Sequence, residues 1–332
     1  MKPREHETKS QILVKDFQRR SKECQEYVKS TFLSEEIKHK ELRKALEYYF
    51  SYWNDFTHPG LFSLAFEAAG GKPENLVKPQ SALAMVAAAF DIHDDVIDKS
   101  KRKHDHVTIF GKFGPDISIL LGDAFLTKGL ALLGVSTAEY VHDRGVEVFS
   151  TLKERLFEVG NAHAQELEMK RRIDVLPSEY LRVLEMKAAG IEADMHIASL
   201  MAGGSEKETA ILKDYGRIIG FLATLREEFV DIFETEELNR RIKSETLPVP
   251  LMFALENAGM KSKITGMIKR GEINSVETNQ LADLVLDLES VIALRRKMEK
   301  LSDTAAFLAG GLANRKSKAL LTSLAESMLE DL

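Results

Sequence analysis

The chain has 332 residues, 44% of them hydrophobic, and a formal net charge of −6, which is enough length and apolar content for a sizeable core. No Lys/Arg block reaches five residues, which argues against nucleic-acid binding through a broad basic face. Cys24 is the only cysteine, so an internal disulfide and any multi-cysteine metal site are excluded. Met1 to Lys9 is charged and lacks an apolar core, so no secretory signal is visible. No uncharged apolar run is long enough to span a bilayer. A cytoplasmic protein without a membrane span is expected.

Long stretches between Pro79, Pro115, Pro177 and Pro248 are free of proline and rich in Ala, Leu, Glu, Lys and Met, the good helix formers. Strictly alternating Val/Ile/Thr runs and Asn-Gly hairpin signals are missing, so the pattern predicts an all-α chain. Gly70-Gly71-Lys72-Pro73 ends an early helix. The almost uncharged run Ser81 to Ile92 predicts a buried helix that closes on Asp94-Asp95-Val96-Ile97-Asp98. Phe110 to Pro115 reads as a turn. Pro177-Ser178-Glu179 reads as a helix start with Ser178 as N-cap, and Gly203-Gly204 ends that helix. Leu247-Pro248-Val249-Pro250 opens another. With no linker, repeat or low-complexity tract, residues 1–332 are expected to form a single bundle-like domain of about ten helices.

On a helix, Asp94 and Asp98 stack on one face a turn apart. Two carboxylates so placed repel each other, and a divalent cation relieves the repulsion. Hard oxygen ligands select Mg²⁺ or Mn²⁺, and Mg²⁺ commonly completes its shell with substrate phosphates. Glu227-Glu228-Phe229-Val230-Asp231 repeats the i, i+1, i+4 spacing after a second, mostly apolar segment. One acidic cluster on a helix is usually a solvated face. Two with identical spacing suggest a metal-bridged phosphorylated substrate beside an apolar pocket.

These residues resemble the trans-isoprenyl diphosphate synthases, the polyprenyl synthetase family. Asp94, Asp95 and Asp98, after Ile92-His93, match the first aspartate-rich motif. Phe110-Gly111-Lys112-Phe113-Gly114, Leu120-Leu121-Gly122-Asp123-Ala124, Ala164-Gln165-Glu166-Leu167-Glu168, Tyr180 through Lys187-Ala188-Ala189, and Thr246-Leu247-Pro248 follow in the family's order. The resemblance covers about residues 55–255. It implies an all-α helical bundle of the isoprenoid synthase type with a central cavity. An allylic prenyl diphosphate would be ionised there with Mg²⁺ on Asp94, Asp95, Asp98, Glu227, Glu228 and Asp231. Lys103, Gln165, Lys187 and Lys243 would contact the substrate, with Asp94, Asp95 and Lys187 in the catalytic role. Ala89 and Phe90 stand where the family builds the floor under the growing tail. Ala89 is small, so room for a tail of farnesyl length or longer is expected. A homodimer is expected, with a heteromer as the alternative.

The departures from the family cluster. Its cationic Gly-Lys-Arg-x-Arg-Pro segment, which holds isopentenyl diphosphate, becomes Asn54-Asp55-Phe56-Thr57-His58-Pro59. Its histidine before the first motif falls near Ala87, and its paired arginines after the motif become Lys103 and His104. Glu227 and Glu228 replace aspartates, and the following loop is short. The nominal reading is a prenyltransferase making a farnesyl- or geranylgeranyl-range product. One alternative is an enzyme that ionises the allylic diphosphate without adding isopentenyl diphosphate: a terpene cyclase, a lyase, or a transferase to another acceptor. Another is a non-catalytic partner subunit of an intact synthase.

Overall fold

A computed structural model describes residues 8–103 and 106–330, so His104 lies outside the described residues. Among these residues are fifteen α-helices. In chain order they are α1 (Lys9–Leu33), α2 (Lys40–Tyr52), α3 (Thr57–Ala68), α4 (Val77–Ile97) and α5 (Ile109–Tyr140). Then come α6 (Gly145–Met169), α7 (Pro177–Lys187), α8 (Ala189–Met201), α9 (Glu206–Val230) and α10 (Thr235–Ser244). The last five are α11 (Val249–Glu256), α12 (Ala258–Arg270), α13 (Ser275–Leu286), α14 (Glu289–Gly310) and α15 (Arg315–Ser327). The strands β1 (Arg102–Lys103) and β2 (His106–Val107) pair antiparallel directly after α4. The all-α expectation is met, with more and shorter helices than the proline spacing suggests.

The boundaries show why. Phe110 to Pro115 is a kink inside α5 rather than a loop: Gly114 takes φ +81° and Pro115 follows it. Glycine tolerates that left-handed backbone, and proline starts the next helical segment without needing its missing N–H. Pro177 likewise occupies the first position of α7, so the cap falls on Leu176 and not on Ser178. The Glu179 carboxylate accepts the Leu176 N–H at 3.2 Å. The run toward Gly203 breaks at Ala188 into α7 and α8.

The chain divides into two compact units. The first holds the chain up to Thr151, Asp194–Leu212 and Leu312–Lys318; the second holds Leu152–Ala193, Lys213–Gly311 and Ala319–Leu332. In the first unit α4 is buried along most of its length, as its uncharged sequence requires. It lies so close to α5 that a Cβ on Gly122 would come within 2.3 Å of the His93 ring. Around α4 stands an aromatic core in which Phe32 stacks on Phe125 at 4.1 Å and Tyr49 meets Phe125 edge-on at 5.1 Å. Emptying one such aromatic site costs about 3–5 kcal/mol. Cys24 is wholly buried here, and burial pushes its thiol up to about 12, so it stays unreactive.

α5 is long and apolar enough to cross a membrane by length and composition alone. Asp123 and Lys128 interrupt it, which is why it does not stand out as an uncharged run. In the structure it packs on α4 and leaves Ile119, Leu120 and Val135 exposed.

In the second unit Arg217 of α9 forks onto Glu158 at 2.7 and 2.9 Å and also pairs with the buried Glu192. The buried Tyr215 hydroxyl donates to the Leu321 carbonyl at 2.6 Å, tying α9 to α15.

Candidate active site

The last turn of α4 presents the acidic group of the first unit. Asp95 is buried, while Asp94 and Asp98 are partly exposed. The β1–β2 turn folds Lys103 back onto this end, with its Nζ 2.7 Å from Asp91 Oδ1 and 2.9 Å from Asp95 Oδ1. Burial pushes the Asp95 carboxyl up to about 6, with Asp91 and Asp94 adding to the rise and Lys103 opposing it. Burial disfavours the Lys103 charge, but Asp91 and Asp95 outweigh it and raise its pKa. Sequence reasoning missed Asp91. The available signal was its position one helical turn before Asp95.

Hard carboxylate oxygens on one helix end suit a hydrated Mg²⁺ ion. Among the described residues, no group of three or more His, Cys, Asp or Glu side chains is gathered around a metal position. Asp94, Asp95 and Asp98 are the carboxylates that this end of α4 offers.

Ala89 is fully buried and belongs to the aromatic core with Phe32, Tyr49, Phe50 and Phe125, whereas Phe90 is partly exposed. Side chains thus crowd Ala89. A separate cavity of about 720 Å³ lies nearby, lined by Phe32, Met85, Ala124, Lys128 and Leu132 among others.

In the second unit the acidic triplet at the end of α9 is split. Glu227 is exposed, while Glu228 and Asp231 are buried. Arg241 of α10, itself buried, reaches both. Its Nη2 donates to the two Glu228 oxygens at 2.8 and 2.9 Å, its Nη1 to Asp231 Oδ2 at 3.0 Å, and its Nε to the Thr246 carbonyl at 2.6 Å. Glu228 also accepts the Tyr180 hydroxyl at 3.1 Å and the Val249 N–H at 2.9 Å. A protein guanidinium thus sits where the spacing suggested metal, and the planar fork matches two carboxylates. Burial pushes Asp231 up to about 7 against the pull of Arg241, with Glu228 adding to the rise. Sequence reasoning passed over Arg241 because a lysine was sought in this loop.

Lys187, at the end of α7, pairs with Glu166 of α6. Burial tends to raise the Glu166 carboxyl, but Lys187, with the Tyr180 hydroxyl, holds it below the usual range. Gln165 is exposed, its amide contacting Met186 Sδ at 3.9 Å, and Lys243 is exposed in the last turn of α10.

Asp55 and His58 lie in the first unit and share a pocket wall with Ala87, Asp91 and Lys103; Phe56 is not among the lining residues. Asp55 Oδ1 caps the start of α3 by accepting from Thr57 N and His58 N at 2.9 and 3.2 Å. His58 Nδ1 lies 2.5 Å from the buried Asp194 Oδ2. Burial opposes a charge on His58, but Asp194, helped by Asp55 and Asp91, pushes it up to about 9. A folded-state pKa raised above 6.5 gives stability that is complete below pH 6.5 and lost as pH rises through about 9. Urea unfolding between pH 6.5 and 9 should therefore show stability falling with a slope near ~1 proton, which His58→Gln flattens. An unchanged slope in His58→Gln would assign the proton elsewhere.

The polyprenyl synthetase family model matches residues 39–285, and the chain belongs to that family. The chain is 27% identical over 212 residues to the short chain isoprenyl diphosphate synthase of Methanothermobacter thermautotrophicus, covering 62% of this chain and 64% of that protein. It is 25% identical over 253 residues to heptaprenyl diphosphate synthase component 2 of Geobacillus stearothermophilus, covering 74% and 75%. The geranylgeranyl pyrophosphate synthetase structure from Pyrococcus horikoshii superposes with a TM-score of 0.84 at 20% identity, covering 98% of this chain and 100% of that one.

Proposed function

We propose that the chain is a Mg²⁺-dependent, prenyltransferase-type enzyme that ionises an allylic prenyl diphosphate and adds isopentenyl diphosphate poorly. The observation that supports it is the carboxylate-bearing end of α4, with Lys103 bridging Asp91 and Asp95, in a polyprenyl synthetase chain. Asp94, Asp95 and Asp98 would hold the metal. When bound, Mg²⁺ offsets the charge that develops on the departing diphosphate. Lys187, which pairs with Glu166, is the proposed cation for the leaving group, with Gln165, beside Met186, as a further substrate contact. Lys243 and Glu227 remain at the margin of this reading. A cytoplasmic location and a single domain over residues 1–332 belong to it as well. Incubating the pure protein with Mg²⁺ and farnesyl diphosphate, with and without isopentenyl diphosphate, tests it. Diphosphate release that does not depend on isopentenyl diphosphate is expected, and efficient elongation would restore the plain synthase reading.

A non-catalytic partner subunit is the second reading, favoured by Arg241, which fills the second acidic motif with a protein charge.

A second copy of the chain is the proposed partner, and α5 and the start of α6 leave Ile119, Leu120, Val135, Val146 and Phe149 exposed for it. Leu120 and Val146 are 54% and 86% exposed. Leu120→Glu with Val146→Glu should convert a sedimenting dimer to monomer at micromolar concentration. A wild-type monomer would point to a heteromeric partner.

A further inference from the structure

The pocket around Asp55 and Asp91 has a volume of about 350 Å³. Its aromatic wall comes from the end of α2, where Tyr49 stacks on Trp53 at 6.1 Å and meets Tyr52 edge-on at 5.5 Å. Tyr52 in turn stacks on His106 at 4.1 Å. Two carboxylates, Asp55 and Asp91, line the same space. Its two strongest cations are already neutralised: Lys103 lies between Asp91 and Asp95, and His58 lies on Asp194. Among the described residues Asp55 enters no ion pair. Asp95 and Asp194 stand behind these two cations, so a diphosphate entering the pocket would find both Lys103 and His58 already held by carboxylates.

One further group is left over. Tyr49 is 1% exposed, and its hydroxyl makes no hydrogen bond among the described residues. Tyr49 lines the pocket, and burial, followed by the charges of Asp91, Tyr52, Asp55 and Asp95, lifts its pKa well above the ordinary value. A buried polar atom without a partner is costly, and an N–H donor on a ligand would satisfy it.

We propose that this pocket binds a small organic ammonium ion. Its three N–H donors match Asp55, Asp91 and the Tyr49 hydroxyl as acceptors. Its charge is favoured by the carboxylates and by the aromatic faces of Tyr52 and Trp53. The binding stands whether or not the chain ionises an allylic diphosphate. Only a role for the ammonium compound as acceptor rests on that reading.

Trp53 is the only tryptophan and lies in the wall, so its fluorescence reports this pocket directly. The full-length protein would be titrated with 2-phenylethylammonium, with uncharged 2-phenylethanol, and with isopentenyl diphosphate. The ammonium should give a saturable change, and the alcohol should bind at least about tenfold more weakly, because it loses the charge-assisted bonds. Isopentenyl diphosphate should give none. Asp55→Asn keeps a capping side chain, and Asp91→Asn keeps the shape. Each should weaken the ammonium about tenfold, with unchanged circular dichroism. Equal binding of amine and alcohol, undiminished amine binding in the double Asn variant, or saturation by isopentenyl diphosphate alone would overturn the proposal. None of these readouts requires turnover, so a failure here is separate from a failure of the Mg²⁺-dependent reading.

Discussion

Replacing Arg241 by Met should be among the most destabilising single changes in the second unit. The guanidinium is buried and donates to Glu228, Asp231 and the Thr246 carbonyl. Removing one partner of such a network leaves carboxylates buried without compensation, which costs about 3–5 kcal/mol. The loss should appear as a lower urea midpoint by circular dichroism. Adding Glu228→Gln and Asp231→Asn should recover much of it, because neutral groups of the same shape no longer need the cation. A further readout separates two roles for this motif. If millimolar Mg²⁺ restores Arg241→Met but leaves the wild type unchanged, the arginine stands in for a metal at Glu228 and Asp231. If the single variant is as stable as wild type, the network is not a keystone of the unit.

The fold class was legible because it depends on composition spread over the whole chain. The missing strand alternation and the Ala/Leu/Glu/Lys-rich stretches give all-α without any long-range contact. Helix number was less legible, since breaks such as that at Ala188 carry no Gly or Pro at the break itself. At the candidate site, Asp94, Asp95 and Asp98 stood out because their spacing is local to one helix. Asp91 shared that helix and was still missed, because its partner Lys103 comes from the turn beyond. The His58–Asp194 pair was out of reach for a different reason. Asp194 is 136 positions from His58, and no periodicity links them. The substitutions at Asn54 to Pro59 were visible in sequence, but the pocket that Asn54, Asp55 and His58 line with Tyr49 and Trp53 required the packing of α2.

Asp94→Ala should abolish most of the stabilisation that Mg²⁺ and farnesyl diphosphate together give the protein. A ligand that binds only the native state raises the melting temperature by mass action, so the shift reads affinity without requiring turnover. Asp94 and Asp98 stand one turn apart at the end of α4, and Asp98 N–H is bonded to the Asp94 carbonyl at 2.8 Å, so the backbone there is regular helix that tolerates alanine. The apo-protein should therefore melt near the wild-type temperature. Loss of one carboxylate ligand should lower diphosphate release about 10²–10³-fold, comparable to removing one preorganised charge-stabilising group. Wild-type release without any Mg²⁺ requirement would remove the metal from the reaction. A wild-type protein that shows neither a Mg²⁺-dependent shift nor release would favour the partner-subunit reading, with Arg241 marking a second motif no longer used for catalysis. A shift of equal size in wild type and Asp94→Ala would place the diphosphate elsewhere, and the carboxylate-bearing end of α4 would then be a solvated helix terminus.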